Sequence, residues 1–500
     1  MGWELAVFLD VGLESLGLIW IILPAVLLGI LVGAVPGFSA QNSLIILLPL
    51  TLSLPVDQAL AFMVSLYAAS HLGGGIPAIL INMPGTGGAA ATTLDGYPMT
   101  KRGDGQEALV LSFVASTVGG LITSIVTLLF LPVLSQVGLY VRSVEMVVIL
   151  LFGLSLIALI SAEKPLKGLI AGFFGLLIGA IGTDHIYSTP RATFGFLELY
   201  DGVPLAPALI GLFAISEAFV MLEREMIIEA GEKGRSKAFR WAGTMRGLVT
   251  SLRNWWQIVW TSMVGLVVGI VPGAGASIAP FVAYQQSRLF SKTPERYGKG
   301  HPPGVIAPEA ANNGVTSGTL VPLMTIGVPG GSTAAVMMIV LQYHGVTLGP
   351  RLFTDNPTLA YGVFFFMALA YLCMLLTILP LARYISSAVL LPTRILVPLI
   401  CSVTIIGAFA AREYVFDMGL ALAFGVLGYI ARKTEYQVTA MLIGIILGPI
   451  LERYLLLSLR LGQGDILVLF SSPTANVLWI LLVASFAVPG LRKLARRRRT

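Results

Sequence analysis

Two stretches of this chain, Gly85-Thr86-Gly87-Gly88 and Gly330-Gly331-Ser332-Thr333, have the residue types of an anion-binding loop. Each follows a proline, Pro84 or Pro329, and each leads towards an apolar segment. Glycines let successive backbone N–H groups converge on one acceptor, and the hydroxyls of Thr86, Ser332 and Thr333 add donors without charge. On this reading Gly85 and Gly330 take positive φ, and helices that begin after the loops add the positive ends of their dipoles. A second pair, Gly33-Ala34-Val35-Pro36-Gly37 and Gly269-Ile270-Val271-Pro272-Gly273, interrupts apolar runs, because proline removes a donor and clashes with the preceding turn. Helix carbonyls freed by Pro36 and Pro272, with oxygens from Ser39, Asn42 and Ser277, would suit a sodium ion. The substrate-binding positions are therefore Ser39, Asn42, Asn82, Gly85, Thr86, Gly87, Gly88, Gly330, Gly331, Ser332 and Thr333. The ion-binding positions are Gly37, Ser39, Gly273 and Ser277. Close helix packing is the competing use of the same small residues.

The elements that must hold these loops are membrane helices. Hydrophobic residues make up 56% of the chain and charged residues 11%, against about a quarter charged in soluble domains. Mean hydropathy is +0.88. Unwound backbone at lipid depth survives only where protein or a water-filled cavity satisfies it, so broken helices here point to a site. The two cysteines, Cys373 and Cys401, lie in separate apolar runs and form neither a disulfide framework nor a metal-binding spacing. No Lys or Arg precedes Lys101, so a cleaved signal peptide is not expected. The net charge of +6 is concentrated in short loops and in the tail from Arg492 to Arg499, where membrane topology and anionic lipid account for it without nucleic acid.

The landmarks recur in order. Gly33-x-x-Pro36-Gly37 matches Gly269-x-x-Pro272-Gly273, and Asn82-Met83-Pro84-Gly85 matches Gly327-Val328-Pro329-Gly330, both about 240 residues apart. Leu131-Pro132 then matches Leu379-Pro380, Phe174-Gly175 matches Phe424-Gly425, and Leu209-Ile210-Gly211 matches Leu442-Ile443-Gly444. The fold expected is an all-α polytopic membrane protein of two repeats with broken helices or re-entrant hairpins, in about 12–15 membrane segments. The repeats span 1–222 and 255–457, joined by a polar cytoplasmic linker at 223–254 and followed by an extra helix and basic tail at 458–500. With linker and tail both cytoplasmic, each repeat crosses an odd number of times and the two are inverted. A pseudo-two-fold axis in the membrane plane would bring Gly37, Gly85, Gly273 and Gly330 together near the midplane.

With the Asp95-Gly96-Tyr97-Pro98 segment and the run Gly211-Leu212-Phe213-Ala214-Ile215-Ser216-Glu217, these motifs resemble the large membrane subunit of the tripartite tricarboxylate transporters, the TctA family. The resemblance covers nearly the whole chain. It implies a permease of the bacterial inner membrane that works with a small four-helix membrane subunit and a periplasmic solute-binding protein. The substrate would be a di- or tricarboxylate, imported on a sodium or proton gradient by alternating access. It implies no cofactor beyond a coupling ion, which could be Na+, and no nucleotide-binding site; no Gly-x-x-x-x-Gly-Lys-[Ser/Thr] loop is present.

Ionisable residues in or beside apolar runs are functional candidates by default, and here they are Asp95, Asp184, Glu217, Glu309, Glu413 and His71. A channel built from the same halves is the alternative. An intramembrane enzyme is a weaker one, because His71, His185, His301 and His344 never take metal-ligand spacing and no catalytic residue is indicated. The distribution of Lys and Arg predicts a periplasmic N-terminus and a cytoplasmic C-terminus. Cysteines introduced near Glu4 should react with a membrane-impermeant reagent from outside, and cysteines near Lys233 should not. Outside labelling near Lys233 would invert the topology.

Overall fold

The computed structural model describes residues 2–35, 39–160, 164–184, 189–223, 241–271, 275–385, 393–410 and 412–483. Among them the chain is helical apart from 3-10 turns and a small antiparallel pairing of Gly182–Thr183 with Pro190–Arg191. The first half supplies α1 (Gly2–Gly17), α2 (Ile19–Gly33), α3 (Ala40–Leu52), α4 (Val56–Ile81), α5 (Thr93–Arg102) and α6 (Gly105–Leu139). It continues with α7 (Ser143–Ile160), α8 (Pro165–Gly179), α9 (Leu205–Leu209) and α10 (Ser216–Leu222), the last two joined by a π-helical turn over Ile210–Ile215. The second half supplies α11 (Trp241–Arg253), α12 (Trp255–Ile270), α13 (Gly275–Phe290), α14 (Pro302–Ile326) and α15 (Ser332–Tyr343). After these come α16 (Leu352–Asp355), α17 (Pro357–Ile385), α18 (Thr393–Ala410), α19 (Val415–Lys433) and α20 (Val438–Leu461).

Six described spans are long and apolar enough to cross a bilayer: α4, α6, the continuous run from α9 to α10, α17, α19 and α20. α1 and α2 form a further such pair, bent by 64° at Leu18, and seven shorter apolar helices accompany them. The all-α polytopic class expected from composition is the one found.

The chain folds as two compact units, and each draws on both halves of the sequence. The first comprises Met1–Ser135 and Leu205–Thr434, the second Gln136–Pro204 and Glu435–Thr500.

Glycines set the helix contacts in both. In the first unit α2 lies on α4 so closely that a Cβ on Gly33 would stand 2.4 Å from the Ser70 carbonyl oxygen. α12 lies on α14 in the same manner, with the Gly265 Cβ position 2.3 Å from the Ala311 oxygen and that of Gly269 3.0 Å from Gly318 Cα. Gly211 of the π turn meets Ala421 and Gly425 of α19. In the second unit Gly175 of α8 meets Met441 and Gly444 of α20. Lipid provides no hydrophobic drive between helices, so backbone approach of this kind supplies dispersion contacts that larger side chains would prevent.

Arg191 grips Glu452 through its two terminal guanidinium nitrogens at 2.6 and 2.9 Å, and Arg412 holds the buried carboxylate of Asp417 at 2.6 and 2.9 Å. Lys164 and Lys167 hold the exposed Glu435 carboxyl below the usual carboxylate range. Glu217, a functional candidate from sequence, is paired with Arg432 at 2.7 Å.

The polar stretch after Glu223 is not a simple loop throughout. Residues 224–240 lie outside the described residues, but Trp241–Arg253 forms α11. Gly243, Thr244, Gly247 and Ser251, spaced along one helical face, are buried; Gly243 and Gly247 rest on Gln106 and Val110 of α6. Arg246 reaches Glu107 at 3.1 Å and Asp104 at 3.5 Å.

Replacing Gly265 by leucine should separate α12 from α14 and lower the melting temperature, at a cost of about 1–3 kcal/mol or more from overpacking. Gly419→Ala, whose Cβ meets nothing within 4 Å, should leave it unchanged. Equal melting of the two variants would refute the packing account.

Candidate functional site

The two loops are seated in the same way, in the same unit. α4 ends at Asn82, which takes the left-handed conformation at φ 59°, and α14 ends at Gly327 with φ 75°. After each cap the chain turns back: Met83 N–H donates to Pro77 C=O and Val328 N–H to Pro322 C=O, both at 3.2 Å. Gly85 N–H then donates to Gly74 C=O and Gly330 N–H to Thr319 C=O, both at 3.1 Å. Each loop glycine also abuts the end of a neighbouring helix, Gly85 against the Gly33 carbonyl and Gly330 against that of Gly269.

This geometry corrects the expected reason for the glycines. Neither Gly85 nor Gly330 has positive φ. Their missing side chains are required because a Cβ would fall 2.4 Å from the Gly33 oxygen at one site and 2.6 Å from the Thr319 oxygen at the other. Their own N–H groups are engaged by backbone carbonyls.

What the loops leave for a ligand lies just beyond these anchors. Thr86 is buried, and its Oγ1 accepts from Ala89 N–H at 3.3 Å. Gly87 is exposed, Gly88 opens a short 3-10 turn packed against α13 and α14, and Asn82 is exposed at its cap. Gly331, extended at φ −171°, is the N-cap of α15. Ser332 and Thr333 form the first turn of that helix, whose leading N–H groups have no intrahelical acceptor. α15 packs against α3 and α4, and Ser332 Oγ donates to Gln41 Oε1. Ser39 caps α3 by accepting from Asn42 N–H at 3.3 Å, and Asn42 is buried with its Oδ1 unpartnered. The structure thus brings Ser332 to α3, the helix that carries Asn42. Gly37 and Gly273 lie outside the described residues, and of Ser277 only the backbone, near the start of α13, is described.

Between the loops runs a buried polar seam that spacing arguments did not find. All of α14 from Gly304 to Thr325 is buried, including Glu309, Asn312, Asn313, Thr316, Ser317 and Thr319. His71 of α4 faces Asn312 with Nδ1 3.0 Å from Oδ1, and Asn312 Nδ2 donates back to the His71 carbonyl at 3.3 Å. Tyr67 and Thr319 share a hydrogen bond at 2.9 Å. These contacts join two helices more than 240 residues apart, and the only sequence signal for them was an unusual density of amides and hydroxyls within an apolar run.

Asp95 has a different role from the one expected of a carboxylate beside an apolar run. It accepts from Gly300 N–H and His301 N–H at 2.7 Å, from Tyr284 Oη at 2.9 Å and from Gly298 N–H at 3.0 Å. Arg102, at the other end of α5, reinforces the same strap by donating to the carbonyls of Lys299 and Gly300. Burial pushes the His301 imidazole below its ordinary range, against the opposing charge of Asp95. Asp95 fastens the segment before α14.

A family model described as the tripartite tricarboxylate transporter TctA family matches residues 18–443. The chain belongs to that family. It is accordingly a transporter component and not an enzyme, a multi-pass membrane protein of the large-subunit type whose family implies partner subunits and a binding protein. The TctA-family chain is similar to an uncharacterised 52.8 kDa protein of the TAR-I ttuC′ 3′ region of Agrobacterium vitis, 28% identical over 99% of this chain and 97% of the relative. A second relative, from the TAR-II ttuC′ 3′ region of the same organism, is 31% identical over 42% of this chain and 87% of its own length. No solved structure matches.

Because backbone occupies the space on both sides, Gly85→Val and Gly330→Val in this TctA-family chain should lower the melting temperature along with any activity. Thr86→Ala should melt close to the native protein. A valine variant that melts normally would show that the loops are not packed as described.

Proposed function

We propose that this chain is the permease subunit of a binding-protein-dependent secondary transporter that imports di- or tricarboxylates across the bacterial inner membrane. Its partners are the small four-helix membrane subunit and the periplasmic solute-binding protein, and an ion gradient, of protons or Na+, drives alternating access. The observation that carries this reading is the duplicate seating of the two loops. Gly85 on Gly74 and Gly330 on Thr319 have the same bond length and corresponding positions in the two halves, and they support the inverted repeat at 1–222 and 255–457 with the linker at 223–254. The paired Gly175–Gly444 and Gly211–Gly425 contacts involve the same matched landmarks and support it too.

The substrate carboxylate sits between the loops, held by Thr86, by the backbone at Gly87 and Gly88, and by the first turn of α15 with Ser332 and Thr333. A charged acceptor at a helix N-terminus gains from both the free N–H groups and the dipole. The Ser39 hydroxyl keeps a hydrogen to donate from α3, whereas the buried, unpartnered Asn42 Oδ1 is an acceptor that suits a coupling cation. Neutral donors suit a carrier, because binding must be reversible within each cycle. The N-terminus is periplasmic and the C-terminus cytoplasmic.

In proteoliposomes containing both membrane subunits, uptake of radiolabelled dicarboxylates and tricarboxylates should saturate and require the binding protein. Thr86→Ala and Ser332→Ala should each raise the half-saturation concentration about tenfold or more, given about 1.5–3 kcal/mol for a hydrogen bond to a charged group, with melting unchanged. Uptake that does not saturate and ignores the binding protein would assign a channel instead.

A further inference from the structure

Glu309 lies in the middle of the first unit with no solvent exposure. Thr92 Oγ1 donates to its Oε1 at 2.5 Å, and Ser116 Oγ donates to its Oε2 at 2.8 Å. Among the described residues it forms no ion pair with a lysine, arginine or histidine. A carboxylate buried without a counter-charge is strongly disfavoured and ordinarily takes up a proton or a cation.

Ser112 decides between the two. Its Oγ is fully buried and lies against the Glu309 carboxyl without forming a well-aligned hydrogen bond. A point beside Gly75, where that residue's Cβ would lie, is 2.8 Å from Glu309 Oε1, 3.0 Å from Ser112 Oγ and 3.1 Å from Glu309 Oε2. This hydroxyl and the carboxyl therefore face one small space, left open by the glycine. A neutral carboxylic acid needs one acceptor for its O–H, and Ser112 Oγ is the acceptor at hand. A sodium ion needs several independent oxygens around one point, whereas of the three nearest atoms here two belong to the carboxyl itself.

The surroundings offer no competing titrating group. Among the described residues of the elements packed on α14, α4 carries His71 and Tyr67, which are bound to Asn312 and Thr319, and Asp57 in its first turn. α5 and α13 carry Asp95 and Tyr284, which bind each other, with Lys101, Arg102 and Arg288 in their last turns, and α17 carries Tyr371, which is bound to Thr316. On α6, Glu107 is paired with Arg246, whereas α12 and the first turns of α15 carry no Asp, Glu, Lys, Arg or His.

We propose that Glu309 is the proton-carrying group of this transporter: it takes a proton that it shares with Ser112 Oγ, and Thr92 transmits its protonation state to the Gly85–Gly88 loop. The connection is short. Thr92 follows the 3-10 turn that begins at Gly88, and Gly75 adjoins Gly74, whose carbonyl anchors Gly85. This rests on the ion-driven reading above and selects the proton as the driving ion.

Dicyclohexylcarbodiimide reacts with buried carboxyl groups only when they are protonated. With the full chain in membranes and choline replacing sodium, mass spectrometry should find the adduct on Glu309, with labelling falling at least tenfold as pH rises. Adding sodium at fixed pH should change nothing, and Glu309→Gln should lose the adduct. Ser112→Ala removes the acceptor of the neutral acid and should move the labelling midpoint to lower pH. Thr92→Ala removes a donor to the anion and should move it higher. Protection by sodium, absence of the adduct across the pH range, or equal shifts in the two alanine variants would each overturn the proposal. Labelling needs neither substrate nor partner subunits, so its failure is distinguishable from a failure of carboxylate uptake.

Discussion

A helix bearing Glu309, Asn312, Asn313, Thr316, Ser317 and Thr319 cannot face lipid, and the first unit is arranged so that α14 does not. Each polar group shut away from water without a partner costs about 1–3 kcal/mol, so burial alone is not enough. Partners come from several directions: His71 and Tyr67 on α4, Ser116 and Ser124 on α6, and Tyr371 and Met367 on α17. The Tyr371 ring stands where a Cβ on Gly120 would lie, which explains a glycine in the middle of α6. α2 and α12 close the remaining faces through glycines, because only bare backbone approaches closely enough to exclude lipid from α4 and α14.

The loops depend on that arrangement. Gly85 and Gly330 donate to the carbonyls of Gly74 on α4 and Thr319 on α14, each eleven residues earlier in the chain, so both loops are fixed to the helix they leave. The left-handed caps at Asn82 and Gly327 then reverse the chain, and the N–H groups of Met83 and Val328 that follow are taken up by the Pro77 and Pro322 carbonyls.

Much of this architecture was legible in the residues. Pro36-Gly37 and Pro272-Gly273 marked the ends of α2 and α12, and the recurring Pro-Gly pairs located both loops. Glycine's role at Gly85 and Gly330 was misread, because sequence reports the missing side chain but not whether torsion or crowding requires it. Glu309 with Thr92 and Ser116, separated by 217 and 193 residues, leaves no periodic trace, and neither does Asp95 with the strap at Gly298–His301. Such pairings are made by the packing of helices remote in sequence. α11 was hidden differently: its buried face consists of Gly243, Thr244, Gly247 and Ser251, which a hydropathy reading scores as polar linker.

The division of the chain into two units that each use both halves has a consequence for biogenesis. α8 presents Gly172 and Gly175 to α20, whose Met441 and Gly444 are made about 270 residues later. At about 5–20 residues per second, α8 leaves the ribosome tens of seconds before its partner exists. Throughout that interval its small-residue face is covered by lipid or by the insertion machinery, and the second unit closes only as the last helices are released. Membrane insertion and tertiary assembly are therefore separate events in time for this protein, and a ribosome that stalls after α19 leaves α8 in the bilayer with no α20 to receive it.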